Sequence, residues 1–253
     1  MNNLLVVNDK IADYRSQALT IQNNTITFHQ SGNYQIEYQN CHNINLTYNF
    51  DKDVYIKLFE YSTNDKLIIK NEYNLYQNAN ILLYKFYNNQ STNEDININL
   101  KEEKAHINYH FSSISIGQDQ HHIKVKHLHK NTFSDIYNKS ITLNKGQIEF
   151  IVDSILPKGN QGCILNQDTR VITLNDNKSA IHPNMYIDEN DVEARHGSII
   201  GRFSHDEIFY LMTRGINYND TIKLLVKGYL FSNLILDMEG RAKIFEIINK
   251  YWR

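Results

Sequence analysis

Apolar and polar residues alternate along most of the first two hundred positions. Thr25-Ile-Thr-Phe, Tyr34-Gln-Ile-Glu-Tyr, Val54-Tyr-Ile-Lys-Leu-Phe, Ile96-Asn-Ile-Asn-Leu and Ile123-Lys-Val-Lys-His-Leu are runs of this kind. Residues two apart share one face of a strand, so this period predicts strands with one buried face. The runs start about every 10–15 residues, too close for intervening helices, which argues against a doubly wound α/β fold. Sandwich, barrel and parallel β-helix all satisfy the pattern. No crisp repeat motif separates them, although a β-helix would let like residues stack from coil to coil.

The period changes near residue 203. Ser204-His-Asp-Glu207 is a capping-box pattern that opens a helix with Ile208, Leu211 and Met212 on one face, and Gly215 is a suitable stop. Asn219 or Asp220 is placed to cap a second helix with Ile222, Leu225, Val226 and Tyr229 on its apolar side. Gly228 weakens that helix by about 1 kcal/mol relative to Ala. A third helix is predicted from Met238 to Tyr251, with Ile244, Ile247, Ile248 and Tyr251 as its stripe. The chain therefore divides into a β-rich part, 1–202, and a helical part, 203–253. The helical part is too small to bury much by itself and must pack on the β part, on a partner, or on both.

Composition narrows the function classes. The 253 residues carry a net charge of -2, which leaves no electrostatic footprint for nucleic acid. The longest apolar stretch, 222–236, is broken by Lys223, Lys227, Gly228 and Asn233 and is shorter than a bilayer span. The start lacks the basic and apolar regions of a signal peptide. Cys41 and Cys163 match no ligand spacing. Together these features place the chain in the cytosol. Asn occurs 34 times, Tyr 17 times and Pro twice. Asn tolerates left-handed backbone and its amides stack in ladders, which suits short strands joined by tight turns. A/T-rich codon usage produces the same bias.

Candidate chemistry is sparse. His127 and His129 would share a strand face and could reach one metal, next to His121 and His122, but no carboxylate or Cys joins them at ligand spacing. His106 and His110 read as background. There is no nucleophile elbow, and neither phosphate-binding glycine motif occurs. The chain thus reads as a non-enzyme, and any ATP would be hydrolysed by a partner. Asp188, Glu189, Asp191 and Glu193 are close in sequence, yet nothing marks two of them as the catalytic pair of a carbohydrate-active β-solenoid. That class remains an alternative.

One region is specific. It contains Pro183-Asn-Met-Tyr-Ile, Asp191-Val192, His196-Gly197-Ser198 and Gly201, then Ile208-Phe209-Tyr210-Leu211, Arg214-Gly215-Ile216 and Gly228-Tyr229. Upstream lie His129, Thr132 and Ser134, and the stretch Gly146 to Phe150. In this order the segments resemble the SufB/SufD family of iron–sulfur cluster assembly scaffolds, over about residues 120–232. Gly at 197 looks like the SufD type, since SufB-type chains carry Glu there. No Cys follows Cys163, whereas SufB-type chains place a ligand Cys shortly before this region. The resemblance implies a mainly β fold, a right-handed parallel β-helix followed by a small C-terminal helical domain. The family's N-terminal helical domain has no counterpart in the strand-like start of this chain. It also implies two contacts: the C-terminal helices with a SufC-type ABC ATPase, and the last coils with a SufB-type subunit or, alternatively, a second copy of this chain. By the same resemblance, His196 is the candidate for iron or a nascent cluster. Its bland counterpart is a His that holds the turn before Gly197. Tyr210, Arg214 and Gly215 are candidates for ATPase docking. No tightly bound cofactor is implied, only transient iron or a cluster at the subunit interface.

Overall fold

The computed structural model describes residues 2–12 and 17–252. Its strands are β1 (Asn2–Val7), β2 (Lys10–Ile11), β3 (Leu19–Gln22), β4 (Thr25–Phe28), β5 (Gly32–Gln39), β6 (Asn43–Ile44), β7 (Thr47–Phe50), β8 (Tyr55–Ser62) and β9 (Lys66–Leu75), then β10 (Asn80–Tyr87), β11 (Ser91–Leu100), β12 (His106–Ser115), β13 (Gln118–His127), β14 (Phe133–Thr142), β15 (Gln147–Leu156), β16 (Cys163–Thr173), β17 (Ala180–Ile187) and β18 (Val192–Gly201). Three helices follow: α1 (His205–Thr213), α2 (Tyr218–Phe231) and α3 (Met238–Tyr251).

The strands alternate between two sheets that enclose one interior. The first runs β18-β16-β14-β12-β10-β8-β5-β1-β2, and the second runs β17-β15-β13-β11-β9-β7-β4-β3, with β6 also on β9. Apart from the antiparallel outermost pairs β1–β2 and β3–β4, neighbouring strands of a sheet are parallel, and the crossover between them is a strand of the other sheet. This is a β-solenoid of about six turns. Register shows why no fixed repeat is visible in the sequence. Thr47 lies opposite Glu72 and Glu72 opposite Asn97, coils of 25 residues. Asn97 then faces Lys124, Lys124 faces Asp153, and Asp153 faces Asn184, coils of 27, 29 and 31. The coil grows, so the period drifts.

Side chains stack along the axis. Tyr48 lies on Tyr73 with ring centroids 4.6 Å apart, and Phe28 on Phe50 at 5.0 Å. Asn99 Nδ2 donates to Asn74 Oδ1 at 3.0 Å, and Asn74 Nδ2 to Asn49 Oδ1 at 3.1 Å. Among the described residues, nine non-glycine residues have positive φ, of which six are Asn and two are Asp. The amide ladders and left-handed corners that Asn favours are therefore both built here, whatever codon bias contributes.

The helices cover the outer face of the first sheet. Val226, Leu230, Ile244 and Ile248 share a core with Phe59, Tyr61, Tyr84, Phe86, Ile114 and Ile141 of the sheet. Asn233, after α2, pins the two together: its Nδ2 donates to the carbonyl of Phe111 at 2.7 Å, and its Oδ1 lies 3.1 Å from Nδ1 of His110. The α1 capping box forms as the sequence indicates. α2 is capped two residues before the nearer candidate, by Asn217, whose side chain accepts from the amide of Asp220 at 2.9 Å. Among the described residues no helix is long and apolar enough to cross a membrane.

Candidate functional site at the open end of the solenoid

The two ends of the solenoid differ. At one end the outermost strands, β2 and β3, are held by antiparallel pairing with β1 and β4. At the other, β17 and β18 each pair on one side only, with β15 and β16. An edge of this kind presents unpaired backbone groups that favour strand addition. It is also apolar: Tyr186, Ile199 and Ile200 are 57%, 53% and 45% exposed.

His196 stands in the middle of β18. There is no turn before Gly197; residues 192–201 form one strand, so the turn-holding role does not apply. In parallel register His196 lies beside Gln167 and Ser198 beside Thr169. Gln167 and Thr169 are buried and face the interior, so His196 and Ser198 continue the interior face onto the last coil. Nothing stacks over that coil, and the imidazole is exposed, without a hydrogen bond. Beneath it, Gln167 Nε2 is held by Ser154 Oγ at 2.8 Å and by the carbonyl of Asn184 at 3.1 Å. Its Oε1 is buried with no partner. Sequence reading missed Gln167. Its signal is the 29-residue spacing to His196, invisible until the length of that coil is known.

The outer side of β18 is set by Gly197, in register with Asp168. Asp168 forms a two-bond fork with Arg170 at 2.8 and 2.9 Å. A Cβ on Gly197 would meet nothing nearer than Asp168 Oδ1 at 4.0 Å. The fold therefore does not require glycine, and a longer side chain would project into open space over this pair.

Helix α1 follows directly and buries none of its residues. Phe209 is 70% exposed and Tyr210 55%. The Arg214 guanidinium lies 5.1 Å from the Tyr210 ring centroid and donates to its hydroxyl at 3.3 Å. Gly215 takes φ +87° and ends the helix, a conformation that disfavours any side chain. A cavity of about 390 Å3 separates this segment from the solenoid, lined among others by Phe203, His205, Ile208, Tyr218, Ile222 and Trp252. Tyr210, Arg214 and Gly215 are thus brought together on an exposed surface next to the open end.

The other candidates serve the fold. His127 points inward and His129 lies in the turn beyond β13, so they do not share a strand face. Both nitrogens of His127 engage hydroxyls, Nδ1 with Thr132 Oγ1 at 2.8 Å and Nε2 with Ser134 Oγ at 2.9 Å. Burial pushes its pKa down to about 3. It is His127, not His129, that touches Thr132 and Ser134 through its ring. His106 meets Phe133 edge-on, and His110 lies between Tyr84 and Tyr137, stacked on the latter. Cys41 and Cys163 are free and buried. Glu189 accepts from the amides of Gly159 and Asn190 and braces a turn. Among the described residues no group of three or more His, Cys, Asp or Glu could hold a metal ion.

The model of the SUF system FeS cluster assembly SufBD core domain matches residues 12–229. The chain belongs to the SufBD core family. Its relatives include both a SufD and a SufB. An iron–sulfur cluster assembly SufBD family protein of Mycobacterium tuberculosis is 28% identical over 118 residues, covering 45% of this chain and 14% of that protein. SufD of Bacillus subtilis is 35% identical over 65 residues, 25% of this chain and 15% of SufD. SufB of the same organism is 28% identical over 120 residues, 45% of this chain and 25% of SufB. These matches span at most a quarter of each relative's length. The β-solenoid is the fold that the resemblance implied.

Proposed function

We propose that this SufBD member is a SufD-type scaffold subunit in the cytosol, not an enzyme, and that the uncovered last coil is its assembly surface. The observation that carries this reading is the coil itself: two open strand edges, exposed apolar residues, and the unpartnered His196 in the midst of them. A SufB-type subunit would add strands to β17 and β18; a second copy of this chain is the alternative partner. Gly197 supports the SufD type, because the fold leaves room there for the Glu of the SufB type.

Iron or a nascent cluster is cargo in this account. His196 can offer one neutral imidazole, a ligand suited to iron. Ala194, two residues earlier on the same strand face, offers none. One side chain cannot complete a cluster's coordination, so the remaining ligands would come from the partner across the interface. The matching test is His196→Ala in the assembled complex. Folding and complex formation should be unchanged and cluster yield lowered; a normal yield contradicts the assignment.

The exposed face of α1 with Tyr210 and Arg214 is the proposed dock for a SufC-type ABC ATPase, which would supply ATP hydrolysis. Tyr210→Glu with Phe209→Glu should abolish ATPase pull-down while leaving the unfolding midpoint unchanged, since neither residue is buried. Retained binding would place the dock elsewhere.

A further inference from the structure

The interior of the solenoid holds titratable groups far from the open end. Glu60, Lys85 and Glu94 are 0% exposed and His121 is 1%. Glu60 and Lys85 are neighbours in register on β8 and β10 of the first sheet, and Glu94 and His121 on β11 and β13 of the second. The Lys85 ammonium bridges the sheets: it pairs with Glu94 and lies 3.4 Å from Glu60 Oε2. His121 Nδ1 is 2.8 Å from Glu94 Oε2. Tyrosines close the shell. Tyr73 donates to Glu60 Oε1 at 2.7 Å and Tyr38 to Glu60 Oε2 at 3.1 Å. Tyr87 lies 3.3 Å from an oxygen of each carboxylate.

Part of the remaining interior repeats from coil to coil. Ile56 lies beside Ile81 and Ile81 beside Ile107; Leu58 lies beside Leu83. In the second sheet Leu75 lies beside Leu100. Slipping the stack by one coil would keep Ile56 against an Ile and move Leu58 from Leu83 to Tyr109. It would place Glu60 against Phe111, which is Lys85's neighbour on β12, and leave buried charge unpaired. Buried ion pairs add little or nothing to stability compared with apolar side chains of similar size, but breaking one is severe, and their best-attested use is to fix register.

We propose that the cluster of Glu60, Lys85, Glu94 and His121 is a register lock, which selects the coil-on-coil pairing and the facing of the two sheets without adding net stability. It spans both sheets and successive coils, the two relations that a solenoid of similar coils must specify. Neutralising the whole cluster is therefore tolerated where removing one member is not.

The test reads register directly. Glu72 faces outward beside Asn97 on the next coil, and Asn97 beside Lys124 on the one after. One background carries Glu72→Cys with Asn97→Cys, the other Glu72→Cys with Lys124→Cys; the native cysteines are buried. A short thiol crosslinker should join 72 to 97 and not 72 to 124. In the neutralised variant E60Q/K85M/E94Q the chain should still unfold near the wild-type midpoint, but the 72–124 product should rise at least tenfold. The single variant K85M should lose cooperative unfolding. A neutralised variant that keeps only the 72–97 product overturns the proposal. So does one that fails to fold, because the cluster would then supply stability and not register.

Discussion

Asn144 sits at a corner of the solenoid with φ +54°, a left-handed conformation that costs a residue with a Cβ about 1–2 kcal/mol unless it is Asn or Asp. Asn144→Ala should accordingly destabilise by about 1 kcal/mol and Asn144→Gly by less, read from urea midpoints. This role was legible in the sequence, since Asn abundance and short strands point to the same corners. The role of His127 was not. The alternation places His127 and His129 on one face, but β13 ends at His127, where two hydroxyls take the ring. Burial holds its folded pKa at about 3, well below the 6.5 of an exposed imidazole. The folded state thus binds fewer protons than the unfolded one. The contribution of His127 to stability is whole above pH 6.5 and is lost as pH falls toward 3, with a slope of at most about 1.4 kcal/mol per pH unit. His127→Gln should flatten denaturation midpoints between pH 6.5 and 4. An unchanged slope would assign the acid sensitivity to another group. Glu94 acts lower. Burial raises its pKa, but Lys85 and the His121 hydrogen bond outweigh that and hold it at about 2. Its contribution is present above pH 4.5 and fades below.

Among the elements, the helices carry two functions that the sequence could not separate. α1 opens on a capping box visible in the sequence, and its apolar residues read equally as core. The structure leaves Phe209, Tyr210 and Met212 exposed and half-buries Ile208 and Leu211, while α2 and α3 cover the sheet's outer face. Those two helices are structural. Deleting residues 203–253 would bare Phe59, Tyr61, Tyr84 and Phe86, so the truncated chain should aggregate or lose cooperative unfolding. Truncation alone cannot test the proposed ATPase dock; the Phe209 and Tyr210 variants, which disturb only an exposed face, can. The strands were legible one at a time from their alternation. Their stacking was not, because a coil that lengthens from 25 to 31 residues leaves no fixed period to find, and the side chains that line up, such as Asn49, Asn74 and Asn99, share one spacing only in the early coils.

For the whole molecule the governing feature is polarity of the solenoid. Antiparallel pairs hold the outermost strands at one end, and the last coil at the other is bare. Interior polar residues gather toward the bare end, where Gln167 and Thr169 lead to His196 and Ser198, while the ion cluster sits in the middle coils and fixes how they stack. The family segments legible in the sequence fall on the last coils and on the helices, most densely at the bare end and α1, and none falls in the first hundred residues, whose architecture could not be read. The most direct test of the bare end as assembly surface is sedimentation of Ile199→Asp/Ile200→Asp with a SufB-type partner, alone and with the ATPase. The account predicts a monomer that unfolds at the wild-type midpoint, still binds the ATPase, and no longer joins the partner or a second copy. A double variant that assembles as the unmodified chain does would contradict it.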